Sequence, residues 1–164
     1  EYVAGEILNP WESIGIHQLE NLFADVKLCK PNFLKLTPEQ LIARLQKQVE
    51  NFIKSVKKMI LEASYVPDLA GVENLIVTYQ GDIKLVDINN ISKVSFGPDI
   101  RLDDKGYPVC DKSIEALSIL EWKLLDRHID ETEFLYKIFL DPQRMREVRV
   151  LEENFHRALK SANP

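Results

Sequence analysis

At 164 residues the chain has room for one domain with a substantial core, and its 45% apolar and 29% charged residues are the balance of a soluble globular protein. A formal net charge of -5, with Lys and Arg dispersed among acids, argues against a nucleic-acid-binding surface. No apolar run has the length needed to cross a bilayer, nothing resembles a signal peptide, and Cys29 and Cys110 lack metal-type spacing, so the reading is a cytoplasmic protein with two reduced thiols.

In chain order, Glu1 to Leu8 (EYVAGEIL) is a short apolar stretch broken by Gly5. Asn9-Pro10 has the form of a helix cap followed by proline at the first helical position, which predicts a weak helix to about Lys27. Thr37-Pro38-Glu39-Gln40 is a capping-box signature, and Leu41, Leu45, Val49, Phe52, Ile53, Val56, Ile60 and Ala63 recur at helical spacing behind it. That is an amphipathic helix of about seven turns, ended by Pro67. Asn74 to Tyr79 and Ile83 to Ile88 are β-rich runs around Gln80-Gly81-Asp82, a hairpin pattern. Ser92 to Pro108 reads as loop.

A helix from Asp111 or Ser113 to about Arg127 is apolar nearly all round, which places it in the middle of the domain. Asp130-Glu131-Thr132-Glu133 is a second capping box, opening a short helix to Leu140. Asp141-Pro142 starts the last helix, with Met145, Val148, Leu151, Phe155, Ala158 and Leu159 facing inward. Its Arg144, Arg146 and Arg149, interspersed with acids, read as a solvated face. The fold class is mainly α with a small β-hairpin sheet (α+β), in a single lobe over residues 1–164.

Chemistry concentrates in Tyr65 to Ile91. A tight hairpin brings the residue before its first strand near the residue after its second, so Asn74 and Asp87 become neighbours. An amide oxygen beside a carboxylate suits Mg²⁺, which takes one or two protein oxygens and completes its shell with phosphate and water. Asp68, just upstream, is placed to accept a proton from an attacking hydroxyl. Each residue also has a structural role open to it: Asp68 as a turn cap after Pro67, Asn74 as a brace of its own loop, Asp87 as a strand terminator. His17, His128 and His156 are scattered, with no catalytic spacing, and Tyr107-Pro108 reads as a loop staple.

GDIKLVDINNIS resembles the strand and metal-binding aspartate of the protein-kinase-like fold, whose motif is Asp-Phe-Gly. DLAGVENLIV resembles its catalytic loop, His-Arg-Asp followed by four residues and Asn, and EYVAGEIL resembles the hinge between the two lobes. The order of elements is that of a kinase C-terminal lobe. The resemblance covers the layout of nearly the whole chain but specific residues only in these three patches. It implies Asp68 as catalytic base, Asn74 and Asp87 as metal ligands, and the backbone of Glu1 and Val3 (in the hinge-like segment 1–8) as the adenine-binding groups. It also implies Ile76 beneath the adenine ring and Asp111 as the aspartate that pins the catalytic-loop backbone.

The implied activity is an ATP- and Mg²⁺-dependent phosphotransfer to a hydroxyl, of a sugar or small molecule rather than a protein, since the segment after Asp87 is short. Small bacterial kinase-like proteins and the aminoglycoside and lipopolysaccharide kinases are the nearest in pattern. There are departures. Val66 and Pro67 stand where His and Arg are usual, five residues separate Asp68 from Asn74 instead of four, and Asp87-Ile88-Asn89 replaces Asp-Phe-Gly. A glycine-rich loop and an N-terminal-lobe lysine, which orient the nucleotide phosphates, do not occur in this sequence. The chain by itself is therefore expected to be inactive, with a missing N-terminal lobe as its partner. A pseudokinase used as a binding or regulatory module is the alternative, and a helical interaction domain the third reading.

Overall fold

Twenty-six residues, Pro38–Ala63, form the longest helix, α2, and its start is written in side chains. Thr37 Oγ1 accepts from Gln40 N (3.3 Å) while Gln40 Oε1 accepts from Thr37 N (3.0 Å), closing the capping box. Leu41, Leu45, Val49, Ile53, Val56 and Ile60 are buried along one stripe. The computed structural model describes residues 4–12, 15–29, 35–87 and 90–162. The helix does not run to Pro67. It stops at Ala63, Ser64 turns left-handed (φ 58°) and donates its N–H to Ile60 O, and Tyr65–Pro67 become a strand, β2. Val66, fully buried, is drawn into sheet pairing by a partner far along the chain, which no local pattern announces.

That partner is β5 (Ile91–Lys93), a three-residue strand that runs into the start of the stretch expected to be loop. The predicted hairpin is present as β3 (Leu75–Thr78) and β4 (Ile83–Leu85), in register Leu75 to Leu85 and Val77 to Ile83. Its turn is closed by Thr78 N donating to Asp82 O, and Gly81 takes φ +78°. A Cβ there would also lie 2.8 Å from Leu41 O, so glycine is required both by conformation and by the closeness of α2. Arg44 of α2 grips Asp82 through Nε and Nη2, tying the turn to the helix. β1 (Gly5–Ile7) completes an antiparallel sheet of order β1-β3-β4.

The first helix, α1, spans Ile16–Cys29 and does not begin at Asn9. Asn9 instead organises a turn: its Oδ1 accepts from Trp11 N and its Nδ2 donates to Glu12 Oε1. The capping signature closes a turn, with Glu12 N donating to Asn9 O, and the Pro10 and Glu12 carbonyls accept from Lys123 Nζ. α3 (Val109–Leu125) runs through the core as predicted, with Ile114, Ala116, Leu117, Leu120 and Leu124 buried and only Trp122 among its large apolar residues exposed. α4 (Phe134–Phe139) buries Leu135, Tyr136 and Phe139, each contributing about 1.5–3 kcal/mol of apolar burial.

The second predicted capping box does not close. Asp130 Oδ1 holds Thr132, and Glu133 reaches Lys57 Nζ at 2.8 Å. α5 (Pro142–Ala162) is capped by Asp141 Oδ1, which accepts from Gln143 N and Arg144 N. Its Val148 is buried, but Ala158 and Leu159 are exposed, so the last turns leave the core. The result is an α+β fold with two small antiparallel sheets beside a helical core. Among the described residues no helix is long and apolar enough to cross a membrane. Both thiols are free, Cys29 exposed and Cys110 buried, and burial pushes the Cys110 thiol up to about 12.

Two charged arrangements depart from the sequence pattern. Arg144 is not on a solvated face: it is 8% exposed, with Nε 2.5 Å from Asp111 Oδ1, Nη1 2.9 Å from Gly97 O, and its guanidinium 4.7 Å from the Phe139 ring centre. Glu121 accepts from Lys57 Nζ (2.9 Å) and Tyr136 OH (2.7 Å) where α2, α3 and α4 meet. Burial works to raise the Glu121 carboxyl, but Lys57 and Tyr136 outweigh it and hold the group below the usual carboxylate range.

Asp111→Ala is expected to lower the unfolding free energy by about 3–5 kcal/mol, because it strands a buried guanidinium. Asp111→Leu combined with Arg144→Met should recover most of that loss in chemical denaturation, and an equal loss in the double variant would show that the pair is not the cause. Because the folded Glu121 pKa is depressed, its stabilisation is present above the unfolded value near 4.5 and is lost as pH falls through the folded one. Glu121→Gln should therefore flatten the acid limb of the stability curve below that pH relative to the parent chain.

Candidate functional site

Asp68, Asn74 and Asp87 are drawn to one end of the molecule by two separate pairings. The hairpin ladder continues past its strands: Val86 N donates to Asn74 O at 2.9 Å, which sets Asp87 next in the chain to the residue opposite Asn74. The β2–β5 ladder also continues, with Asp68 N donating to Asn90 O at 2.9 Å. Side chains then join the two ends. Asn74 Nδ2 donates to Asp68 O (2.9 Å), and Asn90 Nδ2 donates to Asp87 Oδ2 (3.2 Å). One hydrogen-bonded path thus runs from Asn74 through Asp68 and Asn90 to Asp87.

The path fixes orientations as well as positions. A backbone carbonyl only accepts, so the nitrogen of the Asn74 amide must face Asp68 O, and its Oδ1 is left as the atom available to a ligand. Asn74 is 9% exposed, so the amide has little freedom to turn. Gly71 makes room for it: a Cβ there would lie 2.5 Å from Asn74 Nδ2. Asp68 is half-buried, and its Oδ1 accepts from both Ala70 N (2.9 Å) and Gly71 N (3.2 Å). Its carboxylate caps its own turn, and Oδ2 is left over.

The backbone of this loop is pinned from α3, but not by Asp111. Ser113 Oγ accepts from Leu69 N at 3.1 Å, whereas the Asp111 carboxylate belongs to Arg144. The expectation placed the right helix end and the wrong side chain, because an adjacent arginine outcompetes a backbone amide for a carboxylate. Trp11 Nε1 also donates to Ala70 O, at 2.9 Å. Ser113, Asn90 and Trp11 are the residues of this site that sequence reasoning missed. Asn90 and Ser113 carry no spacing signal, since each acts on a residue distant in the chain. Trp11, beside a turn-forming Asn-Pro, was the one with a visible cue.

Ile76, in the middle strand, is paired with Ile7 and with Lys84. Directly opposed residues share a face, and this one is not covered: Ile7 is 46% exposed and Ile76 half-buried, while Leu75 and Val77 of the other face are fully buried. Val86, at the end of the same hairpin, is also exposed. An open apolar strip therefore adjoins Asn74. Glu1 and Val3 lie outside the described residues, as do Ile88 and Asn89. His17, His128 and His156 are exposed, with His17 bonded to Glu20 and His128 to Ile129 O, and Glu73 is exposed within the Asp68–Asn74 loop.

For a hard cation the donor set is oxygen only, Asn74 Oδ1 and the Asp87 carboxylate, which fits Mg²⁺ with most of its shell supplied by phosphate and water. Among the described residues no three His, Cys, Asp or Glu side chains gather into a cage. No family model, no curated protein and no solved structure matches this chain.

Gly71→Ala is expected to destabilise the protein by roughly 1–3 kcal/mol through the clash with Asn74. The same substitution made in an Asn74→Ala background should cost much less. Additive losses in urea denaturation would show that the two residues do not constrain one another.

Proposed function

We propose that this chain is the C-terminal lobe of a kinase-like phosphotransferase that uses ATP and Mg²⁺ and acts on a hydroxyl of a sugar or other small molecule. The observation that supports the reading is the hydrogen-bonded path joining Asn74, Asp68, Asn90 and Asp87, because it gathers at one place polar residues that flank four different strands. Asn74 Oδ1 and Asp87 would hold the ion, which when bound neutralises charge on the phosphates. The open strip of Ile7, Ile76 and Val86 offers an apolar bed to a base. Asp68 Oδ2, the oxygen free of its turn, is the acceptor for the hydroxyl proton as that oxygen attacks the γ-phosphorus and ADP leaves.

A second reading, a pseudokinase that binds nucleotide or protein without turnover, is favoured by one observation. Asp68 Oδ1 is spent on Ala70 N and Gly71 N, and a carboxylate committed to its own turn is poorly free to swing toward a substrate.

Titration of the chain with ATP in the presence of Mg²⁺, followed by thermal shift, is expected to show stabilisation that EDTA removes and that Asp87→Ala and Asn74→Ala abolish. At ligand concentrations a hundredfold above Kd the shift should correspond to about 2.7 kcal/mol. Binding that survives Asp87→Ala refutes the metal role of that residue. Binding with no ADP release, even when the chain is joined to an ATP-covering lobe, selects the pseudokinase.

A further inference from the structure

Trp11 occupies a place that the proposed site does not explain. Its indole Nε1–H is given to Ala70 O, 59 residues away, and its ring lies under Lys112 Nζ at 4.1 Å. Lys112 is 5% exposed and also pairs with Glu115 (2.7 Å) and Glu152 (3.0 Å), while Tyr107 OH takes the other Glu152 oxygen (3.0 Å). The turn that carries Trp11 is itself clamped, since Lys123 Nζ donates to both Pro10 O and Glu12 O. Two lysines 11 positions apart lie within about 20° on a helix, so one face of α3 holds this turn at both ends.

The geometry points to Trp11 as a positioning residue for the Asp68–Asn74 loop. Ala70 is the link. Its C=O accepts from Trp11, and the N–H of the same peptide unit, that of Gly71, donates to Asp68 Oδ1 beside the N–H of Ala70, so the indole fixes the peptide on which the Asp68 carboxylate rests. A cation over the ring draws electron density from the indole and strengthens Nε1–H as a donor, which gives buried Lys112 a part in the same device. The turn also follows directly from β1, and Leu8 N, next after that strand, donates to Leu75 O beside Asn74. Strand, turn and loop are thereby locked as one unit. The assignment of a reaction to that unit rests on the function proposed above, but the lock itself does not.

Trp11→Phe keeps a ring for Lys112 and removes the donor. Amide hydrogen exchange of the whole chain, without ligand, is expected to quicken at Ala70 and Gly71 by about tenfold, as for one lost hydrogen bond. Core amides of α2 and α3 should be unchanged, and Trp11→His, which restores a ring N–H, should return part of the protection. Unchanged exchange at Ala70 and Gly71, or equal acceleration across α3, would overturn the role. Asp87→Ala should leave these rates as they are, so failure of the nucleotide site and failure of the lock give different results. With the chain binding Mg²⁺ and ATP, Trp11→Phe should raise the midpoint several-fold with the melting temperature held, and an unaltered midpoint would overturn the positioning role.

Discussion

Helix α3 carries buried polar groups along most of its length, and the need to satisfy each of them arranges the other elements around it. Asp111 takes Arg144 from α5, Lys112 takes Glu152 from α5, and Ser113 takes the Leu69 amide from the loop. Glu121 takes Lys57 from α2 and Tyr136 from α4, and Lys123 takes the carbonyls of the turn at Pro10. Burying such groups without partners costs several kcal/mol for a charge, so the alternatives in which any neighbour is displaced are strongly disfavoured. Among the described residues no buried side-chain nitrogen or oxygen is left unpartnered.

The apolar core supplies the driving force, and the polar contacts of α3 supply the address. Leucines, isoleucines and phenylalanines from α1 to α4 would collapse in many relative orientations at similar cost. A lysine that must reach both Glu121 and Glu133, or an arginine that must reach Asp111 and two loop carbonyls, is satisfied in few. The same bonds extend to the surface region of interest. Ser113 bonds Leu69 N and Trp11, whose turn is clamped by Lys123, bonds Ala70 O, so a change in the core would be felt in the loop of Asp68.

Much of the helical frame was legible because its signals are local. The capping box at Thr37, the stripe behind it, the hairpin with its glycine turn and the Asp141-Pro142 start all depend on residues a few positions apart. The failures share the opposite character. Pro67 fell in a strand because Val66 found a partner 26 residues later, and β5 was read as loop for the same reason. Asn9 formed a turn held by distant Lys123, and the box at Asp130 stayed open, with Glu133 drawn to Lys57, although the short helix behind it formed. Arg144 looked solvated because its acids in sequence hid an acid in space. At the site, the nearness of Asn74 and Asp87 followed from hairpin geometry and the turn-capping role of Asp68 was among the roles open to it, whereas the bonds from Asn90 and Ser113 needed the three-dimensional fold.

The Trp11 contact with Ala70 also bears on the order in which the parts form. The hairpin and α2 close over short stretches of chain, and α3 meets α4 across a brief connection, so these carry little loop-closure entropy. The bond from Trp11 spans 59 residues, and β1 pairs across a comparable distance. In a chain of this topology such long closures are completed after the local ones. The loop carrying Asp68 would then be the last part to acquire its final geometry, and the first to lose it when the N-terminal strand peels away.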